Sequence, residues 1–175
     1  MSQIMERFNA LEKEWIRMLD SGEDSTILTT LHQIRNSGSV RMLPHVIQLL
    51  DKSLKDALVD HILQFLGEVK AQEAVPIMVE SLDKMEKTPL YAQFLSACWQ
   101  TGLDFSPHIP RFVEIFIRSD YQASLEAFTI IEESLHNAGE DIIESCLQQL
   151  RTGRNRIGKE KYPLYLELIR TVGDS

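Results

Sequence analysis

Histidines, cysteines, paired carboxylates and clustered arginines are the side chains here that could do chemistry. The five histidines are His32, His45, His61, His108 and His136. His45 and His61, with Asp60 beside the second, are the set most like a metal site. They lack the short fixed spacing that such sites use. The expectation is therefore solvent-facing or partly packed histidines and no metal. Cys98 and Cys146 sit inside apolar helical patterns, with no second cysteine two to four residues away. That spacing removes zinc-knuckle and C-x-x-C chemistry and predicts buried free thiols. There is no G-x-S-x-G elbow, no H-E-x-x-H pair and no glycine-rich phosphate loop. Arg151-Thr152-Gly153-Arg154-Asn155-Arg156-Ile157-Gly158-Lys159 is basic and contains glycine, but lacks P-loop spacing and follows no strand. No catalytic residue, metal or cofactor is expected.

Charge carries more information. Twenty-six acids against 18 Lys and Arg leave −8, which argues against a protein that wraps nucleic acid with its whole surface. The charge is uneven. Ser119 to Leu150 holds seven acids and no Lys or Arg, and Arg151 to Lys161 then holds five bases and one acid. An uncompensated field of one sign favours steering of an oppositely charged partner.

These residues must be positioned by something, and the punctuation of the chain shows what. Leu43-Pro44-His45-Val46-Ile47-Gln48-Leu49-Leu50, Val75-Pro76-Ile77-Met78-Val79-Glu80-Ser81-Leu82 and Ile109-Pro110-Arg111-Phe112-Val113-Glu114-Ile115-Phe116 match one another, their prolines 32 and 34 residues apart. A copy without proline fits at Ile143–Leu150. Gly38, Gly67, Gly102, Gly139 and Gly173 keep the same rhythm, each after an apolar helical pattern, as left-handed C′ residues would. Leu54, Leu58, Ile62, Phe65, Leu66 and Val69 trace one helix face. Ser53-Leu54-Lys55-Asp56 reads as a capping box, and Thr88-Pro89 and Ser106-Pro107 as cap-plus-proline helix starts. No period-two run suggests a strand.

The unit is a helical hairpin, a shorter A helix followed by a longer B helix. Five fit in one domain over residues 1–175, at about 4–36, 40–69, 73–101, 107–138 and 140–172. One hairpin cannot bury its apolar face, but stacked hairpins share a core. The first, with Trp15 in a charge-rich helix, has the character of a capping unit.

The Leu/Val/Ile-Pro-x-φ-φ-x-x-φ signature, in a helix followed by one ending in glycine, resembles the HEAT repeat. More closely it resembles the short bacterial form named for phycobilisome lyases. Gln72-Glu73-Ala74-Val75-Pro76-Ile77 after Leu66-Gly67-Glu68-Val69 is the best match. The resemblance covers residues 38–150 well and both ends weakly. It implies an all-α superhelical solenoid, with A helices on the convex side, B helices on the concave side, and a scaffold that binds other macromolecules. Thr88-Pro89-Leu90-Tyr91-Ala92 resembles the ankyrin motif but occurs once. Tetratricopeptide repeats place proline at the end of the second helix, whereas here it opens the first. The di-iron hydroxylases of the superfamily use His-Glu dipeptides, and none of the five histidines precedes Glu.

On this frame the B helices carry polar stripes. Asp56, Asp60 and Gln64 belong to the second hairpin, Tyr91 and Gln93 to the third, and Glu126, Glu132, Glu133 and His136 to the fourth. Side by side they would make an acidic groove for a basic protein or peptide. Equally, they could be an ordinary solvated face. Trp99 reads as a packing residue. The bases Arg151, Arg154, Arg156 and Lys159 fall in the expected loop between the last two helices. They could contact phosphate, nucleic acid or an acidic partner, and the favoured reading is that they neutralise the neighbouring acids.

The function expected is a non-catalytic interaction scaffold with no cofactor. The alternatives are an enzyme of the lyase or glycosylase type, with a deep pocket near Tyr91, Trp99 and His61, and a nucleic-acid binder working through 151–161. Exposed solenoid ends would also allow a homodimer. Neither a secretory leader nor a membrane span is recognisable, so the expected location is cytoplasmic.

Overall fold

Helix-period apolar residues, interrupted by turn residues about every 12 positions, leave the chain little choice but short helices packed face to face. The computed structural model describes the backbone of residues 2–174 and the side chains of residues 10–174. The fold is all-α, and no strand occurs among the described residues. The helices are α1 (Ser2–Leu19), α2 (Asp24–Ser37), α3 (Leu43–Leu49), α4 (Asp56–Gly67), α5 (Ala74–Met85), α6 (Tyr91–Gln100), α7 (Ile109–Arg118), α8 (Tyr121–Ser134), α9 (Glu140–Gly153) and α10 (Tyr162–Gly173). The successive pairs α1–α2, α3–α4, α7–α8 and α9–α10 each pack together.

The chain divides into two compact units, Met1–Thr88 and Pro89–Ser175. In the first, α1, α3 and α5 pack in sequence as one layer and α2 and α4 as the other. In the second, α6, α8 and α10 form one layer and α7 and α9 the other. Each helix therefore meets its hairpin partner or the equivalent helix of the next hairpin, as in a helical repeat.

The first unit also shows its period in its ion pairs. Asp20 binds Lys52 at 2.9 Å and Asp24 binds Lys55 at 2.6 Å. Arg35 binds Glu68 at 2.7 Å, and Asp51 pairs with Lys84. Each joins positions one repeat apart. Exposed pairs contribute little to stability, but their regularity fixes how one hairpin is set on the next. Trp15 is buried and donates its indole N–H to Gln33 Oε1 at 2.9 Å, closing the first hairpin.

Several local expectations change. The repeat prolines do open A helices: Pro44 and Pro110 are second in α3 and α7, and Pro76 is third in α5. The B helix is the longer only in the second and fourth hairpins. Of the five marker glycines, Gly38 and Gly102 adopt positive φ, 67° and 64°, and cap α2 and α6. Gly67 and Gly173 are the last residues of their helices, and Gly139 is extended ahead of α9. A glycine near a helix end can thus be terminal helix or N-cap as well as C′. No side-chain cap opens α4; Lys55 stands there and reaches Asp24 instead. Thr88 finishes α5 by donating to Met85 O at 2.9 Å. Ser106 opens a single 3-10 turn ahead of α7, its N–H held by Asp104 Oδ1 at 2.8 Å. The cap the spacing did not reveal is Asp120, whose carboxylate accepts from Ala123 N at 2.9 Å and starts α8.

The core of the second unit is centred on α7, where Ile109, Phe112, Val113, Ile115, Phe116 and Ile117 are all buried. Gly153 lets α9 approach this helix. A Cβ there would lie 2.6 Å from Ile117 Cδ1 and 3.1 Å from Cγ1 and Cγ2. Because Ile117 is β-branched and stiff, Gly153→Ala should destabilise despite its better helix propensity, by up to about 2 kcal/mol net. Combining it with Ile117→Ala should recover part of that loss. Additive effects in a double-mutant cycle measured by urea unfolding would show that the two residues do not press on each other.

Candidate functional site

The strongest surface constellation lies on α6 and α8 of the second unit. Asp120 fixes the start of α8, whose Ala123, Ser124, Ala127, Phe128, Ile130 and Ile131 are buried. That leaves Tyr121, Leu125, Glu132 and Glu133 on its exposed side. Tyr91, Leu95 and Trp99 stand one turn apart on α6, and each step of four residues rotates about 40° from the last. Tyr91 and Leu95 are consequently in the core, while Trp99 emerges at its edge, 37 % exposed. The reading of Trp99 as a packing residue is corrected by this drift. Its indole N–H donates to Glu126 Oε2 at 2.7 Å, which ties α6 to α8 and holds the ring in place. Trp99, Glu133 and His136 also border a cleft of about 110 Å³, together with Asp104 and Asn137. Burial alone would raise the pKa of Asp104. Hydrogen bonds from Ser106 and Asn137 and the nearby His136 outweigh it and hold the carboxyl below its ordinary value.

The other candidate residues are distributed as follows. Gln93 is exposed on α6, and Glu126 is half-buried. Asp56, Asp60 and Gln64 are exposed on α4 in the first unit, with Gln64 donating to Glu68 Oε1 at 2.9 Å. Tyr91 is buried. Tyr121 and Leu125, 48 % and 40 % exposed, were not among the expected site residues. The signal for them was apolar side chains one turn apart on the side of α8 away from its buried stripe.

The basic segment is mostly not a loop. Arg151 lies in the last turn of α9, and Arg154 to Arg156 form a 3-10 turn that extends it. Arg154 donates to the Tyr162 hydroxyl at 3.1 Å and lies over that ring. Among the described residues no ion pair joins Arg151, Arg154, Arg156 or Lys159 to a carboxylate. The favoured expectation that these bases are answered by the neighbouring acids finds no contact to support it. Lys161 does something else. It is 4 % exposed, and its ammonium donates to Phe116 O, Ile117 O, Ser119 O and Ser124 Oγ at 2.9, 3.3, 2.6 and 3.1 Å.

Neither histidine pairing nor thiol chemistry emerges. His45 is half-buried on α3, and His61 is exposed with Nδ1 2.6 Å from Ala57 O. No group of three metal-ligating side chains occurs among the described residues. Cys98 and Cys146 are free and buried, which pushes their thiols up to about 12 and about 11. At those values they are protonated and unreactive at neutral pH. No helix among the described residues is long and apolar enough to cross a membrane. Comparison of the chain with known protein-family models, with curated proteins and with solved structures returns no match.

Proposed function

We propose that this chain is a HEAT-like interaction module that takes a basic protein or peptide segment on the α6–α8 face of its second unit. The observation that carries the reading is Trp99, exposed and held by Glu126, at the edge of a stretch with seven acids and no Lys or Arg. A rigid exposed aromatic beside carboxylates suits a cationic side chain. The ring face attracts Lys or Arg, and the acids neutralise the head group. Tyr121 and Leu125 add apolar contact, and Glu126, Glu132 and Glu133 set the on-rate through the field. The free buried thiols fit a reducing compartment such as the cytoplasm.

The enzyme alternative has less support. The cleft beside Trp99 measures about 110 Å³, below the roughly 300–1,000 Å³ of ordinary small-molecule sites, and Tyr91 does not open onto the surface.

The test uses an array of fluorophore-labelled Arg- and Lys-rich peptides, with binding to the full chain followed by the anisotropy of the peptide label. The expected result is binding that weakens with salt and falls about tenfold or more in Trp99→Ala and in the triple variant Glu126→Gln, Glu132→Gln, Glu133→Gln. Peptide affinity unchanged in both variants would reject the face as the binding surface.

A further inference from the structure

We propose that the cleft between α7 and α9 binds the phosphoryl group of a small anionic ligand. The cleft has a volume of about 310 Å³ and is lined by Glu114, Ile117 and Arg118 from α7 and by Gln149, Thr152, Gly153 and Arg156 from α9 and the turn after it. The spacing explains why these residues meet. Glu114 and Arg118 are one turn apart, and Gln149, Thr152 and Arg156 follow i, i+3, i+7, so each element presents one polar row. Ile117 and Gly153 pack against each other between the rows.

Four features make this an anion site. Arg156 is a guanidinium that no carboxylate engages among the described residues. Arg118 is oriented by Glu114, whose Oε1 accepts from Arg118 Nη1 at 2.8 Å. Glu114 is an acid on the cleft wall, but it is shared with Arg111 as well. Burial alone would raise its pKa, and the two arginines overcome that and hold it ionised below the usual carboxylate range. Among the residues lining the cleft, two arginines stand against one carboxylate.

The third feature is Gln149, whose Oε1 is buried without a hydrogen-bond partner. A carboxamide turned through 180° keeps its shape and exchanges that acceptor for N–H donors. An anionic oxygen would then accept from amide N–H groups at the place where Oε1 meets no donor.

The fourth is Lys161. The C-terminal end of a helix carries partial negative charge, which would repel an anion at Ile117 and Arg118. Lys161 places a full positive charge on those carbonyls, Ile117 O included. The Arg156 fork, with the Arg118 charge beside it, can then bind two oxygens of a tetrahedral phosphoryl group, which a planar guanidinium matches in bidentate fashion. The volume lies at the small end of ligand sites, which selects a small phosphorylated molecule over a polymer. Of the four bases singled out from the sequence, only Arg156 lines the cleft.

The experiment titrates the full chain with inorganic phosphate and follows backbone and arginine N–H resonances by NMR. The expected result is saturable shifts confined to Ile117, Arg118, Gln149, Thr152, Gly153 and Arg156. Affinity should drop about tenfold or more in Arg156→Gln and stay unchanged in Arg154→Gln. Arg156 is exposed, so the variant should keep its spectrum elsewhere, and Arg118→Gln provides an independent second loss. Acetate in a parallel titration should bind more weakly than phosphate. No saturable shift, equal shifts at Arg151, Arg154 and Lys159, indifference to Arg156→Gln, or acetate binding as well as phosphate would each overturn the proposal.

Discussion

Lys161→Met is expected to destabilise the protein by roughly 3–5 kcal/mol, the range for removing one partner from a buried charged network. Methionine keeps the unbranched stem and the packing on Phe116, whose ring centroid is 5.7 Å from Nζ. What disappears is a charged donor with four acceptors. The carbonyl of Ile117 loses its side-chain donor, and those of Phe116 and Ser119 are left to share the one Ser124 hydroxyl, at 2.9 and 3.3 Å. Each unsatisfied buried acceptor costs about 1–3 kcal/mol, so the total is dominated by these groups rather than by lost area. Burial pulls the Lys161 pKa below that of a free lysine, against the pull of Asp120 and Glu160. The geometry nonetheless calls for the ammonium, since only three N–H groups can serve so many oxygens. Lys159→Met, two residues away and exposed, is the control and should change stability by less than about 0.5 kcal/mol. Urea midpoints at unchanged slope measure both. Equal midpoints for the two variants would mean that Lys161 is not the plug on α7.

The second large effect belongs to the first unit. Leu58→Ala should cost roughly 2–5 kcal/mol, the transfer free energy of the side chain plus the cavity it leaves. Leu58 is 3 % exposed on α4, on the same face as Ile62, Phe65 and Leu66. Asp60, two residues on, is exposed, and Asp60→Ala should stay within about 0.5 kcal/mol. Similar losses from both would show that α4 is rotated from the face assigned to it.

The helices, and the packing of α1 on α2, α3 on α4, α7 on α8 and α9 on α10, were legible because they rest on local rules. Proline at the start of α3 or α7 costs no hydrogen bond, because a first-turn N–H has no intrahelical acceptor, and the apolar period of α4 states which side must be covered. Helix ends were less legible. Gly67 and Gly38 look alike in sequence, yet only Gly38 leaves the helix with φ 67°. The difference depends on the path of the chain beyond each glycine and on the side chains packed over each helix end. The candidate site was legible in its charges but not in its apolar part. The acids of α8 stand out by count, whereas Trp99 and Leu95 lie only four residues apart on α6, and the drift of about 40° between them carries Trp99 to the edge of the core.

The amino-acid order alone settled the class of fold, the period and the separation of acidic from basic blocks, since each is written in neighbouring residues and helix-length patterns. Tertiary structure alone decided which basic residue is inside and which aromatic is outside. Lys161 meets acceptors 37 to 45 residues away, and Trp99 meets its carboxylate 27 away. A long polar side chain is buried only where distant backbone oxygens converge to receive it, and that convergence comes from packing rather than from local sequence.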